Sequence, residues 1–190
     1  MLGKDGGMSK TTIEHEETMP REIVVDHELS LRFLSANDTE RIFEILEADN
    51  DIRDHVGLFA DCDSLERLRE KIADQMAHGA LRYAITLEGV LVGYVGIHID
   101  PDEDQFNQYI ISDFLSSEYR GRGIMGKSLE ALLTEAEKSL KVDRFSAWVE
   151  EGNPASANVL KRLGFEHTNI PYKDSKGRIN WDYIREVKRG

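Results

Sequence analysis

In the first half of the chain, apolar residues first alternate as in a β-strand and then recur at the spacing of two α-helices. Residues 29–33 alternate between apolar and polar side chains, which predicts a first β-strand. Two stretches of helical spacing follow, each introduced by a polar residue with a glutamate three positions later, the pattern of a capping box. These pairs are Asn37 with Glu40 and Asp63 with Glu66. The apolar positions are Ile42, Phe43, Ile45 and Leu46 in the first predicted helix, and Leu65, Leu68, Ile72 and Met76 in the second, which Gly79 is expected to end.

The second half of the chain alternates strands with helices. Residues 81–87 and 90–99 are rich in β-branched and aromatic side chains and flank Glu88-Gly89, which predicts a β-hairpin. The remaining predicted elements are strands over residues 108–115, 144–149 and 179–187, the last within a closing hairpin, and an amphipathic helix over residues 124–140. An alternation of this kind predicts an α/β domain.

Composition and charge narrow the classes of partner. The chain has 190 residues, of which 40% are hydrophobic, enough for one globular domain with a sizeable core. Its net charge of −12 argues against a nucleic-acid partner, because phosphate binding needs a basic surface. The same charge is compatible with a cationic acceptor, although it serves solubility first. Neither a membrane-spanning apolar run nor a signal peptide is visible, so a cytoplasmic protein is expected.

The chain has a single cysteine and a polar N-terminal segment without periodicity. Cys62 stands alone, so it excludes an internal disulfide, and the chain shows no metal-binding pattern. The first 22 residues are polar and without periodicity, and we interpret them as an N-terminal arm ahead of a domain over residues 23–190. Within that arm, residues 1–7 read as an appended remnant or as the lead-in to an alternative start at Met8.

A segment rich in glycine and basic residues lies between a predicted strand and the long predicted helix. Residues 119–129 read Tyr-Arg-Gly-Arg-Gly-Ile-Met-Gly-Lys-Ser-Leu. The glycines are Gly121, Gly123 and Gly126, and the basic residues are Arg120, Arg122 and Lys127. Bare backbone amides at a helix N-terminus bind phosphate groups, and the helix dipole reinforces that binding. We interpret the segment as the cradle of a pyrophosphate; the alternative is an ordinary glycine-bearing turn into an amphipathic helix.

A second motif occupies residues 153–165. Asn153 is a favoured N-cap, Pro154 stands at the favoured first helical position, and Gly164 is placed to end the helix. A short, well-capped helix therefore explains these residues structurally. Ser156, on the first turn, is the one residue for which a further role is considered; the structural alternative is a first-turn serine that bonds to the backbone.

Together the two motifs resemble the acetyl-coenzyme A signatures of the GNAT superfamily of N-acetyltransferases. Residues 120–126, Arg-Gly-Arg-Gly-Ile-Met-Gly, resemble the first signature, Arg/Gln-x-x-Gly-x-Gly/Ala, with Arg120 and Gly123 at its first two fixed positions. Met125 stands where glycine or alanine is usual, a departure typical of the ribosomal-protein N-terminal acetyltransferase branch, the Rim type. Asn-x-x-Ser followed by Gly-Phe, within residues 153–165, resembles the second signature.

The resemblance implies a fold and a set of cofactor-binding residues. The implied fold is a single α/β domain with a mixed, mostly antiparallel twisted sheet of about six or seven strands and helices on both faces. A splay is implied between the strands ending near Leu115 and Val149. Acetyl-CoA is the implied cosubstrate, without a metal. The residues implied to contact it are Phe114, Leu115, Arg120, Gly121, Arg122, Gly123, Ile124, Met125, Gly126, Lys127 and Asn153, the first two through their backbone.

Acetyl transfer also needs a proton donor for the departing thiolate and a base for the ammonium. Many superfamily members use a tyrosine four residues before the glycine of Gly-Phe, but this chain has Leu160 there. By resemblance to the Rim branch, Ser156 is the candidate donor, on a helical turn whose dipole stabilises the thiolate. Asp113 is the candidate base. The alternatives for the base are Glu150, Glu151, His98 and water. Water is among them because an α-amino group has a pKa near ~8 and needs little help to lose its proton.

The expected function is direct transfer of an acetyl group from acetyl-CoA to an amine. The leading acceptor is the α-amino terminus of a protein or peptide, by resemblance to the branch alone. The alternatives are a polyamine or other small amine, which the net charge favours slightly, and a non-catalytic acyl-CoA-binding sensor. The expected partners are acetyl-CoA and the amine acceptor, without nucleic acid or membrane, and the expected oligomeric state is monomer or homodimer.

Overall fold

One mixed sheet of eight strands, flanked by four helices, makes up the described chain. The computed structural model describes residues 18–49, 52, 56, 59, 62–77, 80–100, 106–174 and 176–188. The strands are β1 (Glu22–Val24), β2 (Leu29–Phe33), β3 (Leu81–Leu87), β4 (Val90–Ile99), β5 (Gln108–Leu115), β6 (Arg144–Glu150), β7 (Glu166–Lys173) and β8 (Ile179–Glu186). The helices are α1 (Thr39–Ala48), α2 (Leu65–Ala77), α3 (Ile124–Ser139) and α4 (Pro154–Arg162). The strand order is β1-β2-β3-β4-β5-β6-β8-β7, and only the β5–β6 pair is parallel.

The sheet separates two apolar cores, because side chains alternate between its two faces along each strand. On one face, α3 packs through Leu129, Leu132, Leu133 and Ala136, and α4 through Leu160, against Leu31, Tyr83, Ile85, Val95, Ile97 and Phe145. On the other face, α1 and α2 pack through Ile42, Ile45, Leu46, Leu68 and Ile72 against Ala84, Tyr94 and Phe114. The predicted α/β domain with helices on both faces is confirmed.

The turn between β3 and β4 is the predicted hairpin turn. Glu88 and Gly89 both have left-handed backbones, with φ of 51° and 80°. Two successive left-handed residues match the right-handed twist of the strands that they join. The two strands of this hairpin pair antiparallel from Leu87 with Val90 to Leu81 with Ile97, with a register shift between Ile85 and Thr86, and they lie inside the sheet.

The helix starts differ from the predicted caps. Before α1, the backbone N–H and the hydroxyl of Ser35 donate to the Asp38 carboxylate at 2.7 and 2.9 Å, so the predicted Asn37–Glu40 pair is wrong. Ser35 is the N-cap of a short 3₁₀ turn over residues 36–38, and α1 follows that turn with Asp38 at its own N-cap position and without a side-chain capping bond. Before α2, the Ser64 hydroxyl accepts the backbone N–H of Arg67 at 3.3 Å, which places the cap one residue after Asp63. Gly79, predicted to end α2, lies outside the described residues.

The parallel pair β5–β6 opens after three residues. The paired residues are Gln108 with Arg144, Tyr109 with Phe145, and Ile110 with Ser146. Residues 111–115 of β5 then pair with β4 alone. The two strands therefore diverge towards their carboxyl ends, and this is the predicted splay.

The edges of the sheet explain why the expected number of strands was too low. β1 has three residues, and most residues of β7 are exposed, so neither strand carries the apolar alternation of a half-buried strand. Just before β1, Met19 is 3% exposed in the core under α3, and the Tyr83 hydroxyl donates to the Pro20 carbonyl at 2.8 Å. No helix in the described part of the chain is both long and apolar enough to span a membrane.

Candidate active site

The glycine-rich loop after β5 presents a run of free backbone donors. None of the backbone N–H groups of residues 121–126 donates a hydrogen bond to the described residues, and no side chain caps α3. The first backbone bond of the helix runs from the Lys127 N–H to the Gly123 carbonyl, at 3.2 Å. Because the N-terminus of a helix also carries a partial positive charge, this loop is built to receive an anion.

Glycine is required in this loop by backbone shape and leaves space above it. Gly121 and Gly123 have φ of 76° and 77°, a left-handed conformation that L side chains rarely adopt. A β-carbon built on Gly121, Gly123 or Gly126 would meet no atom within 4 Å. The space over the loop is therefore open to a ligand, and a side chain at these positions would fill it.

The three basic side chains of the loop differ in their partners. Arg120 is held by the protein: its Nε donates to the Leu115 carbonyl at 3.0 Å, and a second nitrogen pairs with Asp49 at 2.6 Å. Lys127 pairs with Asp26 at 2.7 Å. This bond, with two backbone N–H groups, lowers the pKa of the Asp26 carboxyl to about 2.

Arg122 is the exposed basic side chain of the loop. Its guanidinium lies 5.3 Å from the centre of the Tyr119 ring, and it forms no ion pair with the described residues. Among the three cations, Arg122 is therefore the one available to a phosphate without breaking an existing bond. Arg120 instead fixes the loop to the end of β5 and to the residue after α1.

The predicted cofactor residues of β5 border the splay. The Phe114 side chain is buried on the face under α1 and α2 and stacks on Tyr94, with ring centres 5.7 Å apart. Leu115 is buried on the opposite face, and its carbonyl is already taken by Arg120. Ile124 is buried and Met125 half-buried at the start of α3, where both pack into the core.

The start of α4 has the predicted cap. The Asn153 side-chain oxygen accepts the backbone N–H of Ser156 at 3.1 Å, and Pro154 occupies the first helical position. The Ser156 side chain is half-buried, and its hydroxyl forms no hydrogen bond with the described residues. The hydroxyl is therefore free to donate to a ligand.

Asp113 is the titratable group of the splay with a pKa shifted towards neutrality. It lies on β5 beyond the last residue paired with β6, and strand alternation places its side chain on the same face as Leu115. Burial raises the pKa of the Asp113 carboxyl to about 6. A carboxyl of this kind accepts a proton more readily than an exposed one.

The other candidates for the base have different surroundings. Glu150 pairs with Arg178 at 3.4 Å, and Glu151 is exposed on the turn after β6. His98 lies on β4 with a buried Nδ1 that has no hydrogen-bond partner among the residues that the structure describes. Burial, and after it the charge of Arg82, lowers the pKa of His98.

A polar chain on the sheet was missed by sequence reasoning. The Arg82 guanidinium donates to the Tyr94 hydroxyl at 2.5 Å, and that hydroxyl lies 3.0 Å from the Ser112 hydroxyl. The three residues come from β3, β4 and β5, so no local motif connects them. The available signal was Gly96, since a β-carbon there would lie 2.5 Å from the Tyr94 oxygen.

An α/β sheet that opens beside a donor-rich helix N-terminus is arranged to bind an extended ligand that carries phosphate groups. A family model described as acetyltransferase (GNAT) domain matches residues 28–166. The chain therefore belongs to the GNAT acetyltransferase family, and it is an N-acetyltransferase with acetyl-CoA as donor. The described residues hold no group of three His, Cys, Asp or Glu side chains placed to bind a metal.

The chain is also similar to a curated bacterial protein and to solved structures of acetyltransferases. The chain is 25% identical over 148 residues to the "Putative ribosomal N-acetyltransferase YdaF" of Bacillus subtilis (strain 168), covering 74% of this chain and 79% of that protein. A structure of RimL, a ribosomal L7/L12 α-N-protein acetyltransferase in complex with coenzyme A, matches with a TM-score of 0.78 at 20% identity, over 87% of this chain and 98% of that one. The microcin C7 self-immunity acetyltransferase MccE, in complex with acetyl-CoA and AMP, matches with a TM-score of 0.75 at 19% identity. The match covers 90% of this chain and 98% of that one. At these identities the two structures establish a shared fold.

Proposed function

We propose that this chain acetylates the α-amino terminus of a protein or peptide. The observation that carries the proposal is the splay between β5 and β6, placed next to the free amides of the glycine-rich loop. A splay leaves strand edges unpaired, so a ligand that lies in it can bond to the backbone. The similarity to a named ribosomal N-acetyltransferase supports the choice of a protein acceptor.

The loop and its neighbours would hold the donor. The backbone amides of residues 121–126 and the Arg122 guanidinium supply donors to the pyrophosphate, while Arg120 and Lys127 fix the loop in shape. Phe114 and Leu115 lend backbone groups along the splay, and Asn153 orients the start of α4. Acetyl-CoA supplies the acetyl group as an activated thioester.

Ser156 and Asp113 would handle the two protons. The free Ser156 hydroxyl, on the first turn of α4, donates to the thiolate as it departs, and the dipole of the helix assists. Asp113 accepts the proton of the ammonium, since its raised pKa brings it nearer to that of an α-amine. His98 is the alternative base, because its Nδ1 is without a partner.

A small-molecule amine is the second candidate acceptor. The similarity to MccE, whose structure contains AMP, favours it, since the match covers 90% of this chain. The net charge of −12 is compatible with a polyamine. The two candidates differ in what must fit the splay, a peptide terminus or a compact molecule.

An acceptor panel tests the proposal. Acetyl-CoA is offered with peptides that have free or blocked N-termini and with polyamines, and the release of coenzyme A is followed together with the mass of the acceptor. We expect acetylation of peptides with a free α-amine and none of blocked peptides that retain lysine. Faster turnover of polyamines would favour the second candidate. Binding of acetyl-CoA without transfer to any amine would overturn both and indicate a sensor.

A further inference from the structure

Arg82 is a buried arginine without a carboxylate partner. It is 9% exposed, donates one hydrogen bond to the Tyr94 hydroxyl, and leaves its Nε buried without an acceptor. No ion pair of Arg82 exists with the residues that the structure describes. Several other arginines of the described chain do pair with carboxylates: Arg32, Arg120, Arg144, Arg178 and Arg185.

A charge in this position is costly unless something balances it. Removing a cation from water is compensated only by a counter-ion or by a full set of hydrogen bonds. The Tyr94 hydroxyl satisfies one of the five guanidinium N–H donors, and it is neutral. The planar guanidinium is suited to a carboxylate, which accepts two parallel hydrogen bonds. The buried Nε–H of Arg82 is therefore left for an acceptor, which an anionic oxygen group would supply together with a counter-charge.

The position of Arg82 connects it to the splay. Across the sheet, Arg82 faces Gly96 of β4, and Gly96 faces Ser112 of β5. Since Gly96 has no side chain, the guanidinium reaches the Tyr94 hydroxyl, which continues to Ser112 at 3.0 Å. Ser112 lies two residues beyond Ile110, the last residue of β5 that pairs with β6. The polar chain therefore ends on the strand that borders the opening.

Two further polar atoms on this face have no partner. Strand alternation places His98 and Ser146 on the same face of the sheet as Tyr94, opposite the core under α3. Within the described part of the chain, the buried His98 Nδ1 and the buried Ser146 hydroxyl both lack a hydrogen-bond partner, and Ser146 is 2% exposed. Both residues lie beside Ile110, the last residue of β5 that pairs with β6: His98 pairs with it from β4 and Ser146 from β6, at the point where the splay begins. Unsatisfied polar atoms gathered at the closed end of the splay point to a polar ligand there.

We propose that the acceptor carries a carboxylate close to its reactive amine, and that Arg82 binds this carboxylate from the face of the sheet under α1 and α2. The inference rests on the proposed function and names the acceptor class within it. In a peptide the carboxylate is the side chain of an acidic residue that follows the N-terminus, and in a small acceptor it is the free carboxylate of an amino acid. Arg82 sets specificity and does not touch the reacting atoms.

Binding of acetylated products tests this without turnover. Titrations in the presence of coenzyme A compare three pairs of an acid with its amide. The first pair is N-acetyl-Ser-Glu-Ala-amide with N-acetyl-Ser-Gln-Ala-amide, and the second is the same pair with the acidic residue one position later. The third pair is N-acetylserine with N-acetylserine amide. We expect the acid to bind more tightly than its amide in at least one pair, by about tenfold to a hundredfold, the range of a charge-assisted hydrogen bond. The first two pairs report a side-chain carboxylate, and the third reports a terminal one.

Variants identify the residue responsible. Arg82→Gln should reduce the ratio of the affinities for the acid and the amide to about one. Arg82→Lys should retain part of this preference, because the lysine ammonium keeps the positive charge but lacks the two parallel N–H donors of the guanidinium. Arg185→Gln is the matched control, an arginine on the same sheet that pairs with Glu137 near the other face, and it should leave the ratio unchanged. Thermal melting shows whether each variant is folded.

The outcomes separate the two proposals. If no pair discriminates in the wild-type protein, including the case in which no probe binds, the inference fails even when the acceptor panel shows transfer. A ratio that survives in Arg82→Gln also overturns it. If the panel shows no transfer but the acid probes bind selectively through Arg82, the inference stands and the proposed function fails. The wild-type comparison decides the question even if Arg82→Gln does not fold.

Discussion

Ser156 and Asp113 carry the proposed chemistry, and they lie in different surroundings. The Ser156 backbone N–H is bound by the Asn153 side chain while its hydroxyl is free, so backbone and side chain have separate roles. Asp113 has a pKa raised by burial on an open strand edge. Each residue therefore predicts a different experimental signature.

Replacing Ser156 with alanine tests the proton donor. The change keeps the backbone bond to Asn153 and removes only the hydroxyl, so kcat should fall while coenzyme A affinity and melting temperature stay nearly unchanged. Loss of one hydrogen bond made in the transition state costs ~2–4 kcal/mol, which is about 30-fold to 900-fold in rate. Steady-state kinetics and melting curves measure both effects.

Asn153→Ala is the matched comparison for Ser156→Ala. It removes the cap of α4 and should cost ~1 kcal/mol of stability, seen as a lower melting temperature with weaker coenzyme A binding. A Ser156→Ala variant that loses stability but keeps its kcat would show that the serine acts only as a first-turn helical residue.

Asp113→Asn tests the base through the pH dependence of activity and of stability. Since the pKa of Asp113 is raised to about 6 in the folded protein, its proton stabilises the fold at low pH, and this contribution is lost as pH rises through about 6. The asparagine cannot ionise, so the variant should melt at a higher temperature than wild type at about pH 8 and at a similar one at about pH 4.

Asp113→Asn should be less active than wild type above about pH 6, although it should be more stable there. Wild-type kcat/KM should rise with pH through about 6 as Asp113 loses its proton, and the variant should lack this rise and be slower above it. Initial rates across pH measure the profile. A rise that persists unchanged in Asp113→Asn would exclude Asp113, and His98→Gln would then be the variant to examine.

At the scale of elements, the local motifs were predictable and the cross-strand site was not. The glycine-rich loop and the cap of α4 are made by residues close in sequence, so their chemistry is readable from one short stretch. The predicted start of α1 was wrong because a 3₁₀ turn capped by Ser35 occupies residues 36–38, where the pattern placed the helix cap. The chain from Arg82 through Tyr94 to Ser112 depends on strand register, which the pattern of apolar residues does not provide.

The glycine-rich loop predicts a position-dependent loss of binding. Gly123→Val places a branched side chain in the open space over the amides and strains a backbone with φ of 77°, so coenzyme A affinity should fall by at least about tenfold. Gly89→Val is the matched control, since Gly89 has φ of 80°, open space around its β-carbon and a place in a distant hairpin turn. It should lower the melting temperature and leave the Kd unchanged. An unchanged Kd in Gly123→Val would remove the loop from the site.

At the scale of the whole molecule, one core reaches beyond the regular elements towards the N-terminus. Met19 packs into the core under α3, and two carbonyls next to it accept bonds from the sheet: that of Pro20 from the Tyr83 hydroxyl at 2.8 Å, and that of Arg21 from the Phe33 N–H at 2.9 Å. These contacts link the segment before β1 to β2 and β3. The predicted arm of residues 1–22 therefore includes a segment that contributes to the folded domain.

Two truncations and one substitution test this contribution. Removal of residues 1–17 should leave the melting temperature within error of the full chain, because the polar, patternless sequence of that stretch predicts no buried contact. Removal of residues 1–21 also deletes Met19 and the two carbonyls. A buried methionine contributes about 2–5 kcal/mol, so the longer truncation should melt at least about 4 °C lower. Met19→Ala in the full chain should reproduce most of that loss, which separates the buried side chain from the backbone bonds. Equal melting temperatures for the two truncations would show that the domain begins at β1 and that Met19 adds nothing to its stability.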